Sequence, residues 1–306
     1  MNVKSIQWPP IESKDAAGHT AVDMVGIVFF LDPGACSDPR VPIGAFLRYL
    51  AGIGRYHSLA YLDDEGEMLA MPEDPSEVLA RQIVRPLQDG ESVRMSLADA
   101  TRPPYRYLAQ YFYEPVVEEG RKPEERVPVF FRVSREAFEG LGPDAVIAFA
   151  IELSEFLPYS YGYISPVLTC DNSFETAIPY LRRYPGLDVA DVLSVAIDLG
   201  DRPSGVHWVN LFGPRLSQAL GGPDTLRSQL PADVRIQPCG QGGFCVVLGA
   251  VPDIGDVNRQ NDLPLYRQLA GVLRPFLRVP HVRYFTNEDG FLDDDAQAAW
   301  HERFLR

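Results

Sequence analysis

The sequence predicts an α+β fold: a mostly antiparallel sheet built from hairpins, with helices packed on one face. Two observations carry that prediction. Short runs rich in β-branched and aromatic residues come in neighbouring pairs separated by turn residues. Helical apolar repeats fall in their own blocks and do not alternate strictly with strands, which argues against a doubly wound parallel sheet. The hairpin-plus-helix theme recurs around residues 105–157 and 234–277. It allows two similar halves, 22–170 and 200–306, within one domain of 1–306, preceded by an arm of residues 1–21.

Taken in order, residues 22–31 (VDMVGIVFFL) read as a buried strand bounded by Asp32-Pro33-Gly34. Residues 42–53 carry apolar side chains at helical spacing, and residues 57–62 return as a strand into an acidic turn. Residues 105–115 (YRYLAQYFYEP) and 126–133 (RVPVFFRV) predict two strands of a long-looped hairpin. Residues 143–157 predict a helix with Pro143 and Asp144 in its first turn, and 159–168 the strand that follows. The proline-broken segment 172–199 predicts two short helices covering the sheet.

Residues 206–212 (VHWVNLF) predict a strand. Pro214 then opens a helix that Gly221 and Gly222 close. Residues 234–238 and 244–249 form a hairpin across Gly240-Gln241-Gly242-Gly243, which lets Cys239 and Cys245 face each other as free thiols. Residues 263–277 are amphipathic, with Pro275 ending or kinking the helix and Asp262 placed to cap it. Residues 281–285 suit an edge strand. The tail runs from Asp293-Asp294-Asp295 into a short helix bearing Trp300 and Phe304.

Composition narrows the function classes. With 306 residues, 46% apolar and 23% charged, the chain has an ordinary globular profile. The polar, proline-bearing start predicts no secretory signal, and the longest apolar runs (25–31, 244–251) are too short to span a bilayer, so a cytoplasmic location is expected. A net charge of −14 repels phosphate backbones and anionic lipid, which argues against direct nucleic-acid or membrane binding. The same charge suits basic protein partners.

Chemical motifs are sparse. Gly-x-Ser-x-Gly, H-E-x-x-H, a Cys-x-x-Cys pair, a calcium loop and a P-loop are all missing, so no cofactor, metal or catalytic residue is predicted. Of five histidines, His19 and His301 lie near the termini, and His57, His207 and His281 sit in or beside predicted strands. A hydrolase built on one of these three and a carboxylate is one alternative; a generic oligomeric interaction module is another. The polar stretch GDVNRQNDLPLYR (255–267) reads as a turn and helix entry, with Asp256 and Asn258 closing turns on their own backbone.

An ordered set of motifs gives a sharper reading. Trp208, Asn210, Gly213 and Pro214 are followed by Gly221 and Gly222, then by Gly255, Asp256 and Asn258, then by Pro264 and Tyr266. This set resembles the C-terminal signature of the TsiV-like type VI immunity family, most clearly over residues 200–280. The resemblance implies a non-enzymatic antitoxin whose partner is a cognate type VI effector, a basic nuclease, with the motif residues as fold determinants. A nuclease presents a basic surface to DNA, and an acidic inhibitor meets it with fast association. The expected contacts are then the acidic loops Asp63, Asp64, Glu65 and Glu67, and Glu118, Glu119, Glu124 and Glu125. Tyr111 and Tyr113 are expected as exposed aromatic anchors.

Overall fold

The computed structural model describes residues 6, 8–14, 18, 20–53, 60–62, 65, 67–100, 104–115, 125–170, 174–189, 191–279, 285–286 and 293–306. Its centre is β2 (Thr20–Leu31), a twelve-residue strand with almost every side chain buried. A run this apolar has no solvent face, so it takes an inner place in a sheet covered on both sides. β7 (Val127–Ser134) lies against one edge of β2 and β8 (Tyr159–Cys170) against the other, both antiparallel.

The sheet extends outward from these three strands. Beyond β7 come β6 (Tyr107–Tyr113), β5 (Val93–Ala98), β3 (Ala60–Leu62) and β4 (Met68–Ala70); beyond β8 come β10 (Val209–Phe212), β12 (Gly243–Val247) and β11 (Arg235–Cys239). β1 (Glu12–Lys14) pairs with β2. All these pairings are antiparallel. The exception is β9 (Asp188–Val189), which runs parallel to β8 and was not expected. The α+β prediction is met, and strands from both 22–170 and 200–306 enter one sheet.

A bulge in the β2–β8 pairing assigns the aromatic residues to faces. The register shifts between Phe30 and Leu31, leaving Ser160 without a strand partner; its hydroxyl donates to the Phe30 carbonyl at 3.1 Å. Tyr159 therefore falls beside Phe29 (ring centroids 5.4 Å), whereas Tyr161 stacks on Phe30 on the opposite face. The Phe29 face carries α1 (Arg40–Ile53), whose Phe46 and Tyr49 lie 6.0 and 4.9 Å from Phe131 of β7. Beside α1 lies α5 (Pro143–Ser154), packed so closely that a Cβ at Gly52 would stand 2.7 Å from the Phe149 ring. Ser134 caps the intervening α4 (Arg135–Leu141) by accepting from Ala137 N–H.

Within the N-terminal arm, Trp8 and Ile11 are docked. Asp23 accepts from Trp8 Nε1 at 2.7 Å and from Ile11 N–H at 2.9 Å, and Arg135 stacks over the Trp8 ring. Segment 172–199 yields the two expected short helices, α6 (Ile178–Arg183) and α7 (Val192–Ala196). Residues 76–98 hold elements that periodicity does not announce. A continuous helical run comprises α2 (Ser76–Leu79), a π-helical turn (Ala80–Val84) and α3 (Arg85–Asp89), and leads into β5. The run resets near Pro86, which has no N–H to donate.

Two expectations need correction, at Asp262 and at the cysteine pair. Gly221 and Gly222, both at positive φ (78° and 81°), close the helix that Pro214 opens, as expected. They redirect the chain from α8 (Pro214–Ala219) straight into α9 (Gly222–Arg227). Asp262 does not cap α10 (Pro264–Leu273): Leu263 occupies the cap position, and Asp262 pairs with Arg267 instead. Cys239 registers with Gly243 and Cys245 with Gln237, so the two free thiols sit diagonally and not opposite each other. Pro275 ends α10, at Leu273, one of the two outcomes expected of it. The tail forms α11 (Asp294–His301), capped by Asp293 accepting from Ala296 N–H at 2.9 Å. Most of the expected strands 57–62 and 281–285 lies outside the described residues.

Candidate functional site

Catalytic geometry can be tested at His207, since His19, His57 and His281 lie outside the described residues. His207 is 3% exposed and stacks on Tyr163 with ring centroids 3.7 Å apart. Its Nδ1 lies 3.4 Å from Asp188 Oδ2. Burial holds the imidazole well below its usual pKa and raises the Asp188 carboxyl, with Arg303 adding to the effect on the histidine. A neutral, enclosed histidine stacked on a core tyrosine is packing, and the strand-histidine hydrolase is not favoured. His301 accompanies Gln297 (2.7 Å) near the C-terminus and is held at about 4 by burial. Among the described residues no group of three or more His, Cys, Asp or Glu could hold a metal ion.

The motif residues set backbone geometry. Trp208 is fully buried, edge-on to Phe138, with its Nε1 donating to the Gly249 carbonyl at 3.3 Å. Asn210, also fully buried, grips the turn before β10: its Oδ1 accepts from His207 N–H at 3.1 Å and its Nδ2 donates to the His207 carbonyl at 2.7 Å. Gly213 crosses β8 so tightly that a Cβ would sit 2.1 Å from the Tyr159 carbonyl oxygen. Pro214 occupies the first turn of α8. Pro264 opens α10, whose Tyr266 packs against Phe304 at 5.3 Å.

Gly255, Asp256, Asn258 and Asn261 form a closed loop. Asp256 and Asn261 make an isolated antiparallel bridge, and Asp256 accepts from Asn258 N–H at 3.0 Å, so Asp256 closes a turn as expected. Arg183 of α6 donates to both Asp256 oxygens, at 3.2 and 2.9 Å, and this hydrogen bonding holds the carboxyl below its usual pKa. Gln260 has φ +55°, a left-handed conformation in a side-chain-bearing residue. The loop lines a cleft of about 490 Å³ with Ile6, Trp8 and Tyr184. Arg259 and Asn261 are exposed at this cleft.

The expected contact residues are only partly brought together. Asp63, Asp64, Glu118, Glu119 and Glu124 lie outside the described residues. Glu65 and Glu67 are exposed beside β4, the edge strand of the sheet, and Glu73, Asp74 and Glu77 add exposed carboxylates immediately after it. Glu125 is half-buried at the entry to β7. Tyr111 and Tyr113 correct the reading: they are 0% and 7% exposed, so neither is an exposed anchor. β6 lies between β5 and β7, and its odd-numbered side chains share the face that α1 and α5 cover. The alternate residue, Phe112, is half-buried on the other face, stacked on Phe130 at 6.2 Å.

Phe112 contributes to a groove of about 420 Å³ between β5–β7 and α7. Two of its lining residues, Leu193 and Ile197, are 44% and 52% exposed. Sequence reading passed over them because VLSVAI reads as a generic buried helix. The available signal was an excess: apolar residues at 192, 193, 195, 196 and 197 are more than one buried helical face can hold. None of the described helices is long and apolar enough to cross a membrane.

Comparisons with known proteins agree with this architecture. Pseudomonas aeruginosa T6SS protein PA0821 superposes with a TM-score of 0.77 at 16% identity, covering 96% of this chain and 87% of that one. At that identity the likeness is one of fold. Comparison with curated proteins finds no match. A family model described as type VI immunity for VRR-NUC matches residues 43–304, which takes in every motif residue above. With the match spanning most of its length, the chain belongs to the TsiV family of type VI immunity proteins for VRR-NUC effectors.

Proposed function

We propose that the chain neutralises a VRR-NUC effector in the cytoplasm by binding it stoichiometrically and covering a basic surface, with no chemistry of its own. The observation that carries this reading is the family match over 43–304. Charge supplies the means. The chain has a net charge of −14, and exposed Glu65, Glu67, Glu73, Asp74 and Glu77 gather along the β4 side of the sheet. A nuclease that holds DNA needs cations on its surface, and an acidic protein competes for the same cations. Complementary fields also speed encounter, which favours an inhibitor that must act before the toxin cuts. Motif residues such as Trp208, Asn210 and Gly213 serve this function indirectly, by holding the sheet in shape.

The test is direct. The purified chain and an inactive VRR-NUC effector should form a complex of fixed stoichiometry, and co-expression should rescue cells from the active effector. A pair that neither associates nor protects would overturn the reading.

A further inference from the structure

The two edges of the sheet end in opposite ways. On the face that carries α1 and α5, one row of side chains crosses the sheet from β4 to β11. It runs from Leu69 through Tyr61, Leu97, Ala109, Phe131 and Ile27, and on through β8, β10 and β12 to Arg235. Between its two ends no member is more than 6% exposed. At β11 the row is closed. Arg235 pairs with Asp144 of α5 at 2.9 Å, and Pro238 removes a donor from the outer strand. At β4 the row stops on Leu69, which is 37% exposed. β4 holds no proline, and among the described residues it pairs with β3 alone.

We propose that the effector docks at the β4 edge by adding a strand of its own to the sheet. The occupant is an extended segment with an apolar side chain beside Leu69 and Lys or Arg flanking it. The inference rests on the reading that the chain binds a VRR-NUC effector, and it adds the place and the mode of binding.

An outer strand presents backbone N–H and C=O groups on one side, and strand addition satisfies them in register. Here that register also continues the apolar row, because the residue opposite Leu69 shares its face. Charge selects the partner. Residues 63–77 hold seven carboxylates and no Lys or Arg, and the next bases are Arg81 and Arg85. Arg81 is engaged with Tyr61, donating to its hydroxyl at 2.5 Å with the guanidinium 5.5 Å from the ring centre. Asp74 accepts from Ser76, and this hydrogen bonding holds its carboxyl below the usual range, so it stays ionised. A second copy of this chain would set two such acidic edges against each other, whereas a basic strand is drawn in. The exposed Leu47, Leu141 and Phe156 around α1 and α5 differ on both counts: they lie on helices or helix ends, and the Arg48–Glu152 pair among them is neutral.

Hydrogen exchange and binding kinetics with an inactive effector test the inference. In the complex, amide exchange in residues 68–70 should slow by about tenfold or more. Leu69→Arg, which copies the closed end of the row, should weaken binding by about 30-fold or more. Leu69→Thr keeps a strand-forming residue and should weaken it in the same direction, with thermal unfolding unchanged. Leu47→Asp should bind within about threefold of the unaltered chain. If the complex forms while the β4 amides exchange as before and Leu69→Arg binds equally well, the edge is wrong and the immunity reading stands. Protection of the same amides in the chain alone, rising with its concentration, would assign the edge to a second copy and overturn the inference. If no complex forms, both fall together.

Discussion

At the β10–β12 end of the sheet, Trp208, Asn210 and Phe212 are fully buried, and Gly213 leaves no room for a methyl group. At the β3–β4 end the strands are three residues long, Leu69 is 37% exposed, and Glu65, Glu67, Glu73 and Asp74 stand in solvent. The first end carries the family motif and the second carries the charge. The difference teaches that the residues by which this family is recognised determine the backbone path. Exposed carboxylates leave no such signature, because a carboxylate in water can be exchanged or moved along a loop at little cost to folding. A tryptophan enclosed on all sides cannot.

The largest effect that could break this contrast lies at the motif end. Trp208→Ala should destabilise the chain by about 3–5 kcal/mol in urea unfolding, the usual cost of emptying a large aromatic site. The molecules that remain folded should bind the effector unchanged. Lost affinity with intact stability would make Trp208 a contact residue and remove the distinction.

An intermediate effect concerns protonation. His301 is held at about 4 by burial, below the ordinary histidine value. Between about 6.5 and about 4 the unfolded chain therefore carries a proton that the folded chain lacks. Stability should fall with acidification across that window, by up to about 1.4 kcal/mol per pH unit from this group. His301→Asn should remove that part of the slope, as read from melting temperatures between pH 7 and 5. An unchanged slope would show that His301 is solvated in solution.

The smallest effect on folding lies at the acidic end. Reversing Glu65, Glu67 and Glu73 to Lys should alter stability by no more than about 0.5 kcal/mol per site. Association with the effector at low salt should slow by about tenfold, and the difference should shrink as salt is added. The same measurement on Glu118, Glu119, Glu124 and Glu125 would rank the two acidic runs. An unchanged on-rate for either run removes it from the path of encounter.

Several elements were legible in the residues alone. β2, the β6–β7 pair, α5 and the β11–β12 hairpin each follow from local periodicity and from Gly or Pro at their ends. The family followed from the ordered motifs between Trp208 and Tyr266, because glycine, proline and tryptophan at such positions answer to steric demands that few other residues meet. Tertiary structure alone decided the rest. The place of β8 between β2 and β10, and the parallel seat of β9, depend on contacts between distant segments. Asp262 turned from cap to ion-pair partner because Arg267 lies within its reach. The burial of Tyr111 and the exposure of Leu193 were beyond local reading for the same physical reason. A side chain's parity or helical angle says which way it points, and only the assembled neighbours decide whether anything covers it there.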